Sequence, residues 1–157
     1  MTSIEIGGGA LVQPGWLNLD SRNGLPGWRR EAQDVPWPTL DNSIDAIRAS
    51  HVLEHVPAGQ ARIDIFNEAH RVLKPGGIFE VILPLAITAS GGLSWHAWAD
   101  PTHVSFWCRE SFYYFMQGAS PGVAVFAANA DYGIKLWSEI EWFINDGFEG
   151  HWRATPA

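Results

Sequence analysis

Side chains in the middle of the chain follow two different periods, and both predict regular structure. Residues 44–49 form a short, mostly apolar run, as expected of a strand that is buried on both faces. After Pro57, four side chains recur at the spacings of three and four that mark one face of a helix: Ile63, Phe66, His70 and Leu73. Residues 77–84 form a second apolar run after the turn residues Pro75-Gly76-Gly77. A strand, a crossover helix and a strand predict a parallel pair with a right-handed connection.

The sequence on either side of this strand–helix–strand unit predicts further strands and helices. Strands are predicted at 3–6, 17–20 and, more briefly, 29–35; a loop at 21–30; and a helix at 109–116. Residues 135–145 alternate in polarity, and Asp146-Gly147 is a strong turn signal before a return strand over 148–154. The chain is therefore predicted to end in an antiparallel hairpin.

The order of these elements predicts the α/β class. We expect one domain over residues 1–157, built on a Rossmann-like, mostly parallel sheet with an antiparallel C-terminal hairpin. The links between the first strands are short and contain Pro14-Gly15, so we expect reduced helix cover near those strands. A sheet face left uncovered there would expose apolar surface, and a homodimer is the expected way to cover it.

Composition narrows the class of protein. Of 157 residues, 46% are apolar and 17% are charged, as in a globular domain. The net charge of −7 disfavours nucleic acid and anionic membrane as partners. One cysteine, Cys108, excludes an internal disulfide. No secretory signal and no run of roughly 18 apolar residues is present, so a cytoplasmic location is expected.

Three glycines and a carboxylate stand where a nucleotide-binding sheet would use them. Gly7-Gly8-Gly9 directly follow the first predicted strand, where glycine lets the backbone approach a ligand closely. Asp20 ends the second predicted strand, where a carboxylate can accept both hydroxyls of a ribose. No helix fits between these two features, so a pyrophosphate-bearing dinucleotide is disfavoured and a ligand without phosphate is favoured.

Four motifs carry a resemblance to a known family. The chain resembles short class I S-adenosylmethionine-dependent methyltransferases, of the type 11-like group that acts on small molecules. That group begins L-N-L-G-C-G, continues P-G-W-x-N-x-D, and carries S-H-x-L-E-H and R-V-L-K-P-G-G. The counterparts here are residues 4–9, 14–20, 50–55 and 71–77, and the stretch Asp100-Pro101-Thr102-His103-Val104 also fits.

The resemblance implies S-adenosylmethionine as the cofactor and assigns residues to it. The methionine portion would be lined by Glu5, Gly7, Gly8 and Gly9. Asp20 would hold the ribose hydroxyls, Asp34 would accept from the adenine amine, and the Val35 amide would lie at the ring. Ser50 and His51 would face the methionine end and the sulfonium.

The methyl acceptor is expected to bind near the residues that follow the fifth predicted strand, at 77–84. Methyl transfer requires alignment above all, and a general base only where the acceptor must lose a proton. His96, Asp100 and His103 are the candidates for such a base, and the acceptor is expected to be a small molecule.

Two other functions remain open from the sequence. His51, Glu54 and His55 spell H-x-x-E-H, the inverted zinc-peptidase motif, which would make the protein a zinc hydrolase. That function requires the motif inside a helix, whereas Pro57 favours a helix that starts after it. The second alternative is a nucleotide-binding or scaffold domain that keeps the fold without turnover. We expect no bound metal.

Overall fold

A six-stranded mixed sheet organises the computed structural model, which describes residues 1–22, 27–118 and 131–157. The strands are β1 (Ser3–Ile6), β2 (Leu17–Leu19), β3 (Ile44–Ser50), β4 (Leu73–Pro84), β5 (Trp137–Asn145) and β6 (Glu149–Pro156). The α-helices within the described ranges are α1 (Gln60–Val72), α2 (Trp95–Trp98) and α3 (Arg109–Tyr113). Short 3₁₀ turns span Gly9–Leu11 and Leu53–His55.

The strand order is β2-β1-β3-β4-β6-β5. Strands β1 to β4 are parallel to one another, and β6 runs antiparallel to both β4 and β5. The predicted fold class, a mostly parallel sheet finished by an antiparallel hairpin, is confirmed. Helix α1 has three full turns and connects the parallel strands β3 and β4.

Several predicted boundaries were wrong. Residues 29–35 do not form a strand; the described contact with the sheet there is a single bridge from Trp28 to Leu19, followed by turns. The Asp34 and Val35 amides donate to the Glu31 and Gln33 carbonyls at 3.1 and 2.9 Å, so these hydrogen bonds close turns and not a strand ladder. Helix α1 begins at Gln60, after Gly59, in agreement with the prediction of a helix that follows Pro57. Residues 23–26 of the predicted loop lie outside the described residues.

Two further differences have a local cause. Strand β4 begins at Leu73, so residues 75–77, which were predicted to form a turn, lie inside the strand as an irregular segment. Gly76 has φ 77°, and the register with β3 shifts between Ile44 and Ala46. Helix α3 ends at Tyr113, earlier than predicted, because Met116 forms a bridge with Trp137 of β5.

One face of the sheet packs against α1 and a cluster of aromatic rings. Phe66 of α1 stacks on Phe115 at 3.9 Å between ring centroids and meets Phe79 of β4 at 5.3 Å. Trp152 of β6 lies 5.2 Å from Phe112 and 5.6 Å from Phe66. These rings are almost completely buried and form the centre of the hydrophobic core.

The opposite face carries a row of alternating charges. Strand register places Glu5, Arg48, Glu80, Arg153 and Glu141 side by side across five strands. The side chains of Arg48 and Arg153 are 26% and 37% exposed, whereas Glu5 is buried, so solvent reaches only part of this face. The sequence predicted an uncovered, apolar sheet face, but the side chains along this row are charged. The homodimer therefore stays a prediction, and this row does not provide the apolar surface on which it was based.

Candidate functional site

The residues that directly follow three adjacent parallel strands line one cavity. Gly7 follows β1, Asp20 follows β2 and His51 follows β3, and all three line a cavity of about 380 Å³. Parallel sheets bind ligands beyond the carboxyl ends of their strands, and this volume lies within the range of small-molecule sites. The sheet therefore places three of the predicted cofactor residues around one space.

Glycine is required in the turn after β1. Gly7 has φ 65° and Gly9 has φ 60°, conformations that other residues rarely adopt. The Gly7 amide donates to the Leu19 carbonyl at 2.7 Å, which ties the turn to β2. A Cβ atom on Gly7 would collide with Val52, another cavity-lining residue. The turn thus holds its backbone against the cavity wall without room for a side chain.

The Asp20 carboxylate already accepts hydrogen bonds from neighbouring residues of the protein. Its Oδ1 accepts from Nε of Arg22 at 2.9 Å, and its Oδ2 accepts from Nη2 of Arg22 at 2.6 Å. Oδ2 also accepts from the Gly9 amide at 3.0 Å. The hydrogen bonds from Arg22 lower the pKa of Asp20 to about 2. The carboxylate lies where the ribose ligand was predicted, but Arg22 occupies both of its oxygens.

His51 links the cavity to two carboxylates. It has φ 55°, unusual for a residue other than glycine. Its Nδ1 lies 3.4 Å from Oε1 of Glu54, and its Nε2 lies 2.9 Å from Oε2 of Glu149. Glu54 and, to a smaller extent, Glu149 raise the pKa of His51. The methionine end of the predicted site therefore carries a histidine that is protonated more readily than usual.

The other predicted cofactor residues do not line this cavity. Glu5 is buried on the opposite face of the sheet, where its Oε1 lies 3.7 Å from Nη1 of Arg48. Asp34 accepts from the Glu31 amide at 3.3 Å, and Val35 is 40% exposed. Gly8, Gly9 and Ser50 are likewise outside the lining.

The cavity wall also contains residues that were not predicted to contact the cofactor. The segment 30–33 lines the cavity in place of Asp34 and Val35, and Arg22, Val52 and His55 also lie in the wall. Each lies within four residues of a predicted cofactor residue in the sequence. Which neighbour faces the cavity depends on loop conformation, and the loop sequences have no periodic pattern that would predict it.

The three candidates for a general base occupy different environments. His96 is sandwiched between Trp95 at 3.7 Å and Phe148 at 3.5 Å between ring centroids. Asp100 accepts from the amide and hydroxyl of Thr102, and this lowers the pKa of Asp100. The ring of His103 lies 4.9 Å from that of His55, a cavity-lining residue. Of the three, His103 is the one with a described contact to the cavity wall.

The H-x-x-E-H motif does not lie in a helix. Residues Leu53–His55 form a 3₁₀ turn, and α1 begins five residues after the motif ends, at Gln60. His51 and His55 therefore lack the shared helical face that the zinc-peptidase motif requires. His51 contacts Glu54 and Glu149, whereas His55 contacts Thr102 and His103.

Comparison with known proteins agrees with this geometry. A methyltransferase domain family model matches residues 21–81. No curated protein matches the sequence. A S-adenosylmethionine-dependent methyltransferase from Archaeoglobus fulgidus superposes with a TM-score of 0.64 at 12% identity, covering 98% of this chain and 85% of that one. The YcgJ protein from Bacillus subtilis superposes with a TM-score of 0.56 at 19% identity, covering 90% of this chain, which spans 64% of YcgJ.

A third similar structure is that of an enzyme named for its action on ribosomal RNA. The 16S rRNA (adenine(1408)-N(1))-methyltransferase from Catenulisporales acidiphilia superposes with a TM-score of 0.52 at 16% identity, covering 99% of this chain and 84% of that one. At these identities the likeness establishes the fold. The family match and the fold together confirm the predicted resemblance to class I S-adenosylmethionine-dependent methyltransferases. The expected absence of a nucleic-acid partner is not supported, since one similar structure acts on ribosomal RNA.

None of the helices in the described ranges has the length and apolar character needed to cross a bilayer.

Proposed function

We propose that this domain binds S-adenosylmethionine in the cavity lined by Gly7, Asp20 and His51 and transfers its methyl group to a small-molecule acceptor. The observation that carries the proposal is the convergence of three strand ends on one cavity in a methyltransferase-type fold. The bound cofactor supplies an activated methyl group, so the protein mainly has to position the two reactants.

The residues present fit such a cofactor. S-adenosylmethionine has no phosphate, so the missing helix after β1 removes no contact that it needs. The Asp20 carboxylate is of the right chemistry for two ribose hydroxyls once Arg22 moves away. The Arg22 side chain is 63% exposed, so it can turn into solvent without leaving a buried gap. Gly7 would let the backbone approach the methionine portion, and residues 30–33 with Asp34 and Val35 would approach the adenine.

Titration with S-adenosylhomocysteine, the demethylated cofactor, tests the proposal. Calorimetry should show binding to the wild type and a loss of up to about 1.5–3 kcal/mol for Asp20→Ala, the value of hydrogen bonds to a charged group. Asp64→Ala on α1, away from the cavity lining, is the matched control and should bind like the wild type. Equal affinity in a folded Asp20→Ala variant would remove Asp20 from the site.

The Arg22–Asp20 pair favours a second candidate function, a scaffold domain that keeps the fold without turnover. In that case the pair permanently closes the ribose position. Arg22→Ala separates the two candidates. If the pair only competes with the cofactor, the variant should bind S-adenosylhomocysteine severalfold more tightly than the wild type, because an exposed ion pair no longer has to be broken. If the wild type shows no binding, whether or not Arg22→Ala binds, the scaffold function is the better explanation.

The acceptor is a separate part of the proposal. The net charge of −7 supports a small molecule over a polyanion as the acceptor. Filter binding with structured RNA at low and moderate salt provides the contrasting measurement. Tight, salt-dependent binding of RNA would overturn the small-molecule assignment while leaving the cofactor site in place.

A further inference from the structure

Three potential metal ligands from two distant segments meet beside the cavity. One ligand atom from each of Glu54, His55 and His103 lies within 4.8 Å of the other two. Glu54 belongs to the 3₁₀ turn after β3, and His103 belongs to the loop that follows α2. The Glu54 carbonyl accepts from the Val104 and Ser105 amides at 2.9 and 3.0 Å, which clamps the two segments together.

Glu54 is an unusual member of this group. It is 2% exposed, and neither of its carboxylate oxygens has a hydrogen-bond partner among the described residues. His51 lies nearby, with its Nδ1 3.4 Å from Oε1, at ion-pair distance but without hydrogen-bond geometry. A buried carboxylate without hydrogen bonds is costly, and coordination of a cation is one of the few arrangements that offsets the cost.

Backbone carbonyls hold both histidines in one tautomer. Nδ1 of His55 lies 3.2 Å from the Thr102 carbonyl, and Nδ1 of His103 lies 3.0 Å from the Ala97 carbonyl. A carbonyl oxygen can only accept, so Nδ1 carries the hydrogen in each of these bonds. The lone pair of Nε2 is then available for coordination. This pattern, a histidine anchored through one nitrogen to a backbone carbonyl, is typical of metal-binding histidines.

We propose that Glu54, His55 and His103 form a binding site for a divalent transition-metal ion, with zinc as the best match. Two imidazoles and one carboxylate are a donor set that suits zinc and not magnesium. Oδ2 of Asp100 lies 3.8 Å from Nε2 of His103, so a fourth oxygen donor is close. His55 is exposed and also lines the cavity, so the ion would lie at its edge, accessible to water or to an acceptor oxygen.

This site differs from the H-x-x-E-H interpretation and from a general base. It replaces His51 by His103 as the second imidazole, because the fold separates His51 from His55 and brings His103 to it. Coordination also excludes a role for His103 as the base, because both roles use the same lone pair. The proposal does not depend on methyl transfer, and its failure would leave the cofactor site untouched.

Calorimetric titration of the chelator-treated protein with zinc chloride is the first test. We expect one equivalent to bind, no heat from magnesium chloride, and a rise in Tm with zinc, since a ligand that binds the native state stabilises it. No zinc binding at micromolar protein, or heat from magnesium equal to that from zinc, would overturn the proposal.

Variants then assign the site. His103→Gln and Glu54→Gln should each weaken zinc binding by at least about 10-fold and abolish the rise in Tm. His96→Gln is the matched control, because His96 lies in the same region but is held by Trp95 and Phe148. His55→Gln, at an exposed position, serves if the buried variants fail to fold. Zinc binding that survives both His55→Gln and His103→Gln would show adventitious coordination elsewhere and overturn the site.

Discussion

The two faces of the sheet differ in how their side chains are packed: one is apolar and buried, and the other carries a row of charges. The face toward α1 is filled by aromatic rings such as Phe66, Phe79 and Trp152, which are almost completely buried. The other face carries Glu5, Arg48, Glu80, Arg153 and Glu141 in register, with alternating sign. Parallel sheets normally have both faces covered by crossover helices. Here the second layer is reduced, and neighbouring opposite charges satisfy one another where helices would otherwise pack.

The difference shows where the stability of the fold comes from. Burial of large apolar rings contributes far more per residue than exposed ion pairs do. The pairs in the row are also loose, with Arg48 Nε 3.4 Å from Glu80 Oε2 and Arg153 Nε 3.7 Å from Glu80 Oε1. The aromatic face should therefore hold the sheet together, while the charged face keeps it compatible with water.

The largest effect is expected on the aromatic face. Trp152→Ala should lower the free energy of unfolding by about 3–5 kcal/mol, because it removes a buried ring that contacts Phe66, Phe112 and Trp137. Urea denaturation measures the change. Trp98→Ala, at a half-exposed position stacked on Phe106, is the control and should cost below about 1 kcal/mol. Equal losses for the two variants would show that the aromatic cluster does not dominate stability.

The next effect is expected where the charged row becomes buried. Arg48→Met leaves the buried Glu5 carboxylate without its cation and should destabilise the fold by about 1–3 kcal/mol. Adding Glu5→Gln to the same chain should recover most of that loss, because no buried charge then remains unpaired. A double variant as unstable as Arg48→Met would mean that the arginine acts through packing of its stem.

A pH effect should distinguish Glu5 from the rest of the row. Burial raises the pKa of Glu5 above its ordinary value of 4.5, an effect that Arg48 opposes. The folded state therefore binds the proton more tightly than the unfolded state, so Glu5 costs stability as pH rises from 4.5 through the raised pKa. Relative to Glu5→Gln, the wild type should lose stability as pH rises above about 4.5. Parallel pH profiles of the two proteins would contradict this.

The smallest effect is expected at the exposed end of the row. Arg153→Met should change stability by roughly 0–1 kcal/mol, and less at high salt, because Arg153 and its partners Glu80 and Glu141 are all partly exposed to solvent. Sedimentation of the same variant also tests the predicted homodimer. A wild-type dimer that Arg153→Met dissociates would show that the charged face is an interface and not a solvated surface.

The candidate site was predictable to the extent that strand ends are predictable. Gly7, Asp20 and His51 follow apolar runs, and parallel strands bring their carboxyl ends to one edge, so these three could be expected at one cavity. The side chains of Asp34 and Val35 could not be placed, because the turns of that segment have no periodicity. The capture of Asp20 by Arg22, only two residues away, depends on the same loop geometry.

The sequence alone determined the class of fold, the parallel core around α1 and the C-terminal hairpin, because apolar periodicity and turn residues act locally. Tertiary structure decided which residues from distant segments meet. Register between strands aligned the charged row, and the clamp at the Glu54 carbonyl brought His103 to His55. Such contacts depend on how elements pack against one another. A pattern of neighbouring residues does not reveal which distant segments will meet.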